Sequence, residues 1–210
     1  MKIKLKAFTL IELLVVISII ALLAALAIPA LAKAMEKSKA IADASNMRQL
    51  GIGIMAYLGD SDQVLPKKDS ADANSLSWPQ TLQAKYVTDW KAFRSPFDKR
   101  TTAGADAASQ PVSYGLNNNA LTTTYVDMSK WKSPSTTILV APNWDGTNFT
   151  GVSGQDVAVT AGSLKPTHQR KDPNTGMVGL LFGDMHVEAS VRVVLVTGTA
   201  ANTSKWDPSK

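Results

Sequence analysis

An uncharged apolar run near the N-terminus most constrains what this chain can fold into. Residues 13–32 carry no charged side chain and consist mainly of Leu, Ile, Val and Ala in no amphipathic order. At about 1.5 Å of rise per residue, a helix of this length spans roughly 30 Å, the thickness of a bilayer's apolar core. Because such a helix is apolar all round, it requires lipid or other helices around it. The run therefore predicts a membrane-spanning or helix-packing segment.

The residues around this run leave two interpretations open. Lys2, Lys4 and Lys6 fit the basic region of a cleaved secretory signal, and small residues at 25–27 or 30–32 fit its cleavage site. Glu12, however, lies at the entrance of the run, where a carboxylate is costly and usually marks a function or a partner charge. Together with Thr9, it also has the spacing of a capping box at a helix start.

The segment around Glu12 resembles the processing site of type IV prepilins and type II secretion pseudopilins. The resemblance rests on residues 6–20, Lys-Ala-Phe-Thr-Leu-Ile-Glu-Leu-Leu-Val-Val-Ile-Ser-Ile-Ile. It implies that a prepilin peptidase cuts between Ala7 and Phe8 and methylates the new N-terminus. Glu12 matches the acidic residue that is fifth in the family's mature chain, and Pro29 matches its helix-kinking proline. The family more often has Gly at the position of Ala7.

The resemblance gives these residues a chemical role. Cleavage exposes the α-amino group of Phe8, which is cationic near neutral pH. Glu12 of one subunit can pair with that amine on a neighbour and set the register of a filament more than its stability. Pro29 lacks an N–H group and is expected to kink or locally open the helix.

Beyond the apolar run, residues 30–58 remain helical in character, because good helix formers predominate. Apolar side chains recur at helical spacing and predict a stripe that docks onto the protein's own C-terminal part. The stripe consists of Met47, Leu50, Ile54, Tyr57 and Leu58.

Four further segments resemble a large bacterial subgroup of pseudopilin-like proteins. They are residues 46–51, 95–98, 113–117 and 182–187. Relatives in this subgroup often carry cysteine near Asp43 and at the position of Ser95. This chain has no cysteine, so we expect no covalent clasp there.

The C-terminal part predicts an α+β head. We expect one short helix over residues 78–86, a tight hairpin turn at 183–185, and long surface loops at 101–110 and 143–163. The predicted strands are residues 112–116, 136–141, 177–182, 186–190 and 191–197. The expected fold is pilin-like, a long N-terminal helix packed on a small antiparallel sheet. The predicted divisions are a leader at 1–7, a membrane and polymerisation helix at 8–32, an amphipathic helix at 33–59 and the head at 60–210.

Catalytic residues are not predicted anywhere in the chain. The best metal-ligand candidates are His168, Asp184 and His186, although nothing matches the tight helical spacing of a zinc protease and a plain hairpin turn explains the last two. A structural calcium ion is a further candidate, because oxygen ligands occur between residues 145 and 156. The basic run at 165–171 lacks the interleaved aromatics of a nucleic-acid module, so no nucleic-acid partner is expected.

The sequence thus favours a non-enzymatic, prepilin-like subunit of a type IV pilus or a type II secretion pseudopilus. Its expected partners are a prepilin peptidase, other pilin or pseudopilin subunits in a homo- or hetero-polymer, and the inner-membrane assembly platform. Its expected location is the bacterial inner membrane, with the leader cytoplasmic and the head periplasmic, and later a filament. The alternative is a membrane-anchored head that binds a ligand or metal and does not polymerise. The formal charge of +5 falls to +2 without the three leader lysines, which argues against an anionic partner.

Overall fold

A computed structural model describes residues 9–66, 77–98, 112–117, 119–120, 126–142, 158–159, 176–192 and 204–209. The chain divides into two compact units, Met1–Ser38 and Lys39–Lys210. The predicted leader, the predicted calcium and basic regions, and residues 193–197 of the last predicted strand lie outside the described residues. The four predicted divisions of the chain stay predictions.

A single long helix, α1, covers Leu10–Asp60. It runs through Pro29 without a break, so the proline does not end the helix. The apolar side chains of its N-terminal half are exposed, and this half has the length and composition to cross a membrane. The prediction of a long N-terminal helix with an apolar first half is therefore confirmed.

The C-terminal half of α1 buries one face in the second unit. Met47, Leu50, Ile54 and Leu58 are buried, and Tyr57 is partly buried against them, as the spacing predicts. Burial of each such side chain is worth about 1.5–3 kcal/mol. This face is what attaches the helix to the head.

A short helix, α2, at Trp78–Lys85 packs beside the end of α1. Pro79 lies in its first turn, where the missing N–H costs nothing. The buried side chains of Trp78 and Leu82 join the same apolar cluster as Met47. Lys85 forms an exposed ion pair of 2.6 Å with Asp60, the last residue of α1.

The head contains one five-stranded sheet in the order β3-β1-β2-β4-β5. The strands are β1 Tyr114–Asn117, β2 Ile138–Pro142, β3 Ala158–Val159, β4 Met177–Phe182 and β5 Val187–Arg192. Neighbouring strands pair antiparallel except β1 and β3, which pair parallel. The α+β prediction is confirmed, with a small antiparallel sheet of four strands that gains a two-residue parallel strand at one edge.

Two details of the strand prediction are wrong. β3 lies inside the predicted loop at 143–163, because a two-residue strand has too few side chains to show alternation. The predicted boundary between residues 190 and 191 is absent, since β5 runs through both as one strand. Pairing of β5 with β4 continues to Arg192 and holds the strand together across that point.

Both faces of the sheet carry apolar clusters. The cluster beneath α1 includes Leu181, whereas its chain neighbours Leu180 and Phe182 belong to a second cluster with Trp206. Adjacent residues of a strand point to opposite faces, so the two clusters lie on opposite sides of the sheet. Trp206 is held there because the side-chain amide of Asn117 donates to its carbonyl oxygen at 3.0 Å.

Candidate functional site

The N-terminus of α1 is closed by a capping box. The backbone N–H and the hydroxyl of Thr9 both donate to Glu12 Oε2 at 2.8 Å. In return, the backbone N–H of Glu12 donates to Thr9 Oγ1 at 3.3 Å. These contacts satisfy donors that every helix start leaves free, so the carboxylate has a local partner within a single chain.

The exposed apolar side chains of α1 form a continuous coat from Leu10 to Met35. Leu10 is 78% exposed and Leu26 is 69% exposed. Soluble proteins rarely leave a contiguous apolar surface of this size uncovered. The coat therefore requires lipid or other helices.

Pro29 lies in this coated half of the helix. Without an N–H group, it cannot donate to the carbonyl oxygen of Ala25, four residues earlier. The predicted kink at Pro29, the pairing of Glu12 with a neighbour and cleavage between Ala7 and Phe8 remain predictions. Ala7 and Phe8 lie outside the described residues.

A buried carboxyl group joins α1 to the head. Asp43 Oδ1 accepts hydrogen bonds from the hydroxyl of Ser95 at 2.5 Å and from the hydroxyl of Tyr114 at 2.6 Å. Ser95 follows the 3-10 turn Trp90–Phe93, and Tyr114 begins β1. We call Asp43, Ser95 and Tyr114 the polar clasp. It links α1 to the head without a covalent bond.

Burial changes the ionisation of the polar clasp. It raises the pKa of Asp43, and the hydrogen bonds from Ser95 and Tyr114 only partly oppose this rise. Burial also raises the pKa of Tyr114 well above its ordinary value, and the nearby Asp43 adds to the effect. The surroundings therefore disfavour a negative charge on either group.

Further hydrogen bonds connect the same region to α1 and stabilise it internally. The side-chain amide of Asn46 donates to the carbonyl oxygens of Arg94 at 2.8 Å and Lys91 at 3.4 Å. The hydroxyl of Ser113 donates to Asp98 Oδ2 at 2.6 Å. Three of the four segments with a family resemblance, at 46–51, 95–98 and 113–117, thus meet in one network.

The fourth segment forms the hairpin turn between β4 and β5, as predicted. His186 stacks on Phe182 with ring centroids 4.3 Å apart, and its Nδ1 contacts Asp184 Oδ1. Burial raises the pKa of Asp184, but the side-chain and backbone hydrogen bonds of His186 outweigh it, and the pKa is lowered. Glu188 Oε1 lies 3.7 Å from His186 Nε2.

Of the three metal-ligand candidates, Asp184 and His186 contact each other in the described part of the chain. His168 lies outside it, and no group of three or more His, Asp or Glu side chains within it is arranged to hold a metal ion. Asp184 and His186 instead satisfy each other within the turn, which is the alternative that their spacing already allowed.

Sequence reasoning missed the role of Tyr114 and of Asp43 in the polar clasp. One signal was available, because Asp43 lies four residues before Met47 and extends the buried stripe by one helical turn. An acidic residue on an apolar helix face predicts a buried polar contact. The identity of its partners depends on tertiary packing.

Comparison with known families adds one finding. A family model described as the prokaryotic N-terminal methylation motif matches residues 4–28. The matched segment includes Ala7, Phe8 and Glu12, and it coincides with the start of the exposed apolar coat. Comparisons with curated proteins and with solved structures gave no significant match. The chain therefore carries, ahead of an α+β head, the N-terminal methylation motif that is characteristic of type IV pilins and pseudopilins.

Proposed function

We propose that this protein is a non-enzymatic structural subunit of a type IV pilus or a type II secretion pseudopilus. A prepilin peptidase cuts the precursor between Ala7 and Phe8 and methylates the new N-terminus. The mature subunit then polymerises with other pilin or pseudopilin subunits on the inner-membrane assembly platform. The observation that carries the proposal is the match of the methylation motif to a helix whose apolar coat is uncovered.

The apolar coat serves two successive states. As a precursor, the protein spans the inner membrane once, with the leader in the cytoplasm and the head in the periplasm, and lipid covers the coat. In the filament, neighbouring helices replace the lipid. Because both surroundings are apolar, the exchange is close to neutral in hydrophobic free energy, and specific polar contacts can set the register.

Glu12 supplies such a contact. Its carboxylate caps its own helix through Thr9, and in the filament it pairs with the Phe8 amine of a neighbour. The two roles make different chemical demands, because a glutamine side chain also caps a helix start but carries no charge.

Mass spectrometry of the mature protein tests the processing step. In cells with active prepilin peptidase, we expect an N-terminal methylated Phe8, and Ala7→Gly is expected to be cut at least as well. The leucine variant Ala7→Leu, with a bulky side chain before the cut, is expected to accumulate as precursor. Cleavage after Ala27 or Ala32 would indicate a secretory signal and contradict the proposal.

Substitutions of Glu12 test the assembly step. Glu12→Gln keeps the helix cap and removes the charge, whereas Glu12→Val removes both. We expect both variants to reach the membrane, and neither to enter filaments purified from the native cells. Normal assembly of Glu12→Gln would show that the charge pair does not set register. A stoichiometric metal in a protein that never polymerises would favour the anchored metal-binding head instead.

A further inference from the structure

Asp43 is buried deeply at the point where α1 meets the head. Its side chain is 1% exposed, and four parts of the fold surround it. These are α1 itself, the turn that ends at Ser95, β1 through Tyr114 and β4 through Gly179. A carboxyl group in such a place is unusual, because Asp is almost never fully buried without a charged partner.

The two oxygens of Asp43 have unequal surroundings. Oδ1 accepts both hydrogen bonds of the polar clasp. Oδ2 has no hydrogen-bond partner among the described residues. It is packed against Gly179, where an added Cβ would lie only 3.0 Å from Oδ2 and 3.2 Å from Met47 Cε. Because Oδ1 accepts both hydrogen bonds, a hydrogen on this carboxyl group lies on Oδ2, and a buried O–H without an acceptor costs less than a buried charge without a counter-ion.

The groups that face Asp43 supply no compensating charge. β1 presents the hydroxyl of Tyr114 and the preceding turn presents that of Ser95, both neutral donors. β4 presents Gly179, and the adjoining turn of α1 presents Met47 and the neutral amide of Asn46. No Lys, Arg or His of the described residues forms an ion pair with Asp43. A carboxylate here would be a buried charge without a counter-ion, which is strongly unfavourable.

We propose that Asp43 is a neutral carboxylic acid in the folded protein, and that its deprotonation as pH rises loosens the head from α1. The Oδ2–H bond breaks, the proton passes to water, and the electron pair stays on the carboxylate. The new charge then needs water, which reaches Oδ2 only when Gly179 and α1 separate. This proposal does not depend on filament assembly.

The direction of the pH effect follows from linkage. Burial raises the pKa of Asp43 above its ordinary 3.8 in the folded state. The folded protein therefore binds more protons than the unfolded chain between the two pKa values. The contribution of protonated Asp43 to stability is fully present below the ordinary pKa of an Asp side chain, and it is lost as pH rises through the pKa of Asp43 in the folded protein.

Infrared difference spectroscopy tests the proposal on the full chain in detergent micelles. At about pH 6, roughly two units above an ordinary Asp pKa, we expect a carboxylic-acid C=O band that is absent in Asp43→Asn. Asp60→Asn is the matched control, because Asp60 is exposed and paired with Lys85, and it should leave the band unchanged. If Asp43→Asn does not remove such a band, Asp43 is ionised and the proposal is wrong.

A second variant keeps the test decisive if Asp43→Asn does not fold. The Ser95 hydrogen bond lowers the pKa of Asp43, so Ser95→Ala should move the titration midpoint of the band to higher pH. A midpoint that stays or falls contradicts the proposal.

Thermal unfolding completes the test: Tm of the wild type should fall as pH rises through the band's midpoint, and that fall should be missing in Asp43→Asn. An unchanged wild-type Tm across the midpoint overturns the release step.

Discussion

At the scale of single residues, Asn46 ties α1 to the turn before Ser95. Its amide donates to the backbone carbonyl oxygens of Arg94 at 2.8 Å and of Lys91 at 3.4 Å. We expect Asn46→Ala to lower the free energy of unfolding by about 1–3 kcal/mol, because the part-buried contact with the carbonyl oxygen of Arg94 is lost. Gln49→Ala, at an exposed position of the same helix, should change it by less than about 0.5 kcal/mol. Chemical denaturation measures both, and equal effects would contradict the role of Asn46.

Gln63 has a backbone conformation that is unfavourable for a residue with a Cβ atom. It follows the end of α1 with φ at 63°, in the left-handed region that favours glycine. Its side chain is exposed. Its backbone N–H donates to the carbonyl oxygen of Leu58, and its carbonyl oxygen accepts from the N–H of Met128. Gln63→Gly should therefore stabilise the protein by about 0.5–1 kcal/mol, whereas Gln63→Ala, which keeps a Cβ, should be nearly neutral. A lower Tm for Gln63→Gly than for Gln63→Ala would contradict this account.

Residue-level sequence reasoning succeeded where the signal is local. The spacing of Thr9 and Glu12 predicts a capping box, and the structure contains it. It failed at Asp43, whose two partners lie 52 and 71 residues further along the chain. A contact at such separation is decided by packing of the whole head, which no local pattern records.

At the scale of elements, two glycines of α1 have opposite surroundings. A Cβ at Gly53 would lie 2.2 Å from Val87 Cγ2, whereas a Cβ at Gly59 would meet nothing within 4 Å. Gly53→Ala should force apart α1 and the segment after α2 and destabilise the protein by about 1–3 kcal/mol. Gly59→Ala should stabilise it by about 0.5–1 kcal/mol, because alanine favours the helix. Thermal melts compare the two, and a stabilising Gly53→Ala would refute the close contact.

Elements were predictable in proportion to their length. The 51-residue α1 and the six-residue β4 have enough side chains to display their periodicity. The two-residue β3 does not, and its parallel pairing with β1 depends on a long-range contact. The register shift between Ile138 and Val140 also has no sequence signal, because a bulge is fixed by the partner strand.

At the scale of the whole molecule, the second unit should fold without the first. A chain of residues 39–210 keeps the buried face of α1, and we expect it to be monomeric and cooperatively folded without detergent. A chain of residues 61–210 loses Met47, Leu50, Ile54 and Leu58, whose burial is worth about 1.5–3 kcal/mol each, and should not fold. Near-ultraviolet circular dichroism and thermal melts distinguish them. A cooperative transition in the shorter chain would show that α1 is not part of the core.

Trp206 is the most C-terminal residue of the apolar cluster on the sheet face away from α1, and it is therefore synthesised last. A ribosome adds residues from the N-terminus, so this cluster cannot close until residue 206 has left the exit tunnel. The face of α1 that carries Met47 is complete long before the strands that cover it. Until residue 206 emerges, the apolar strand residues of this cluster therefore remain open to chaperones and proteases.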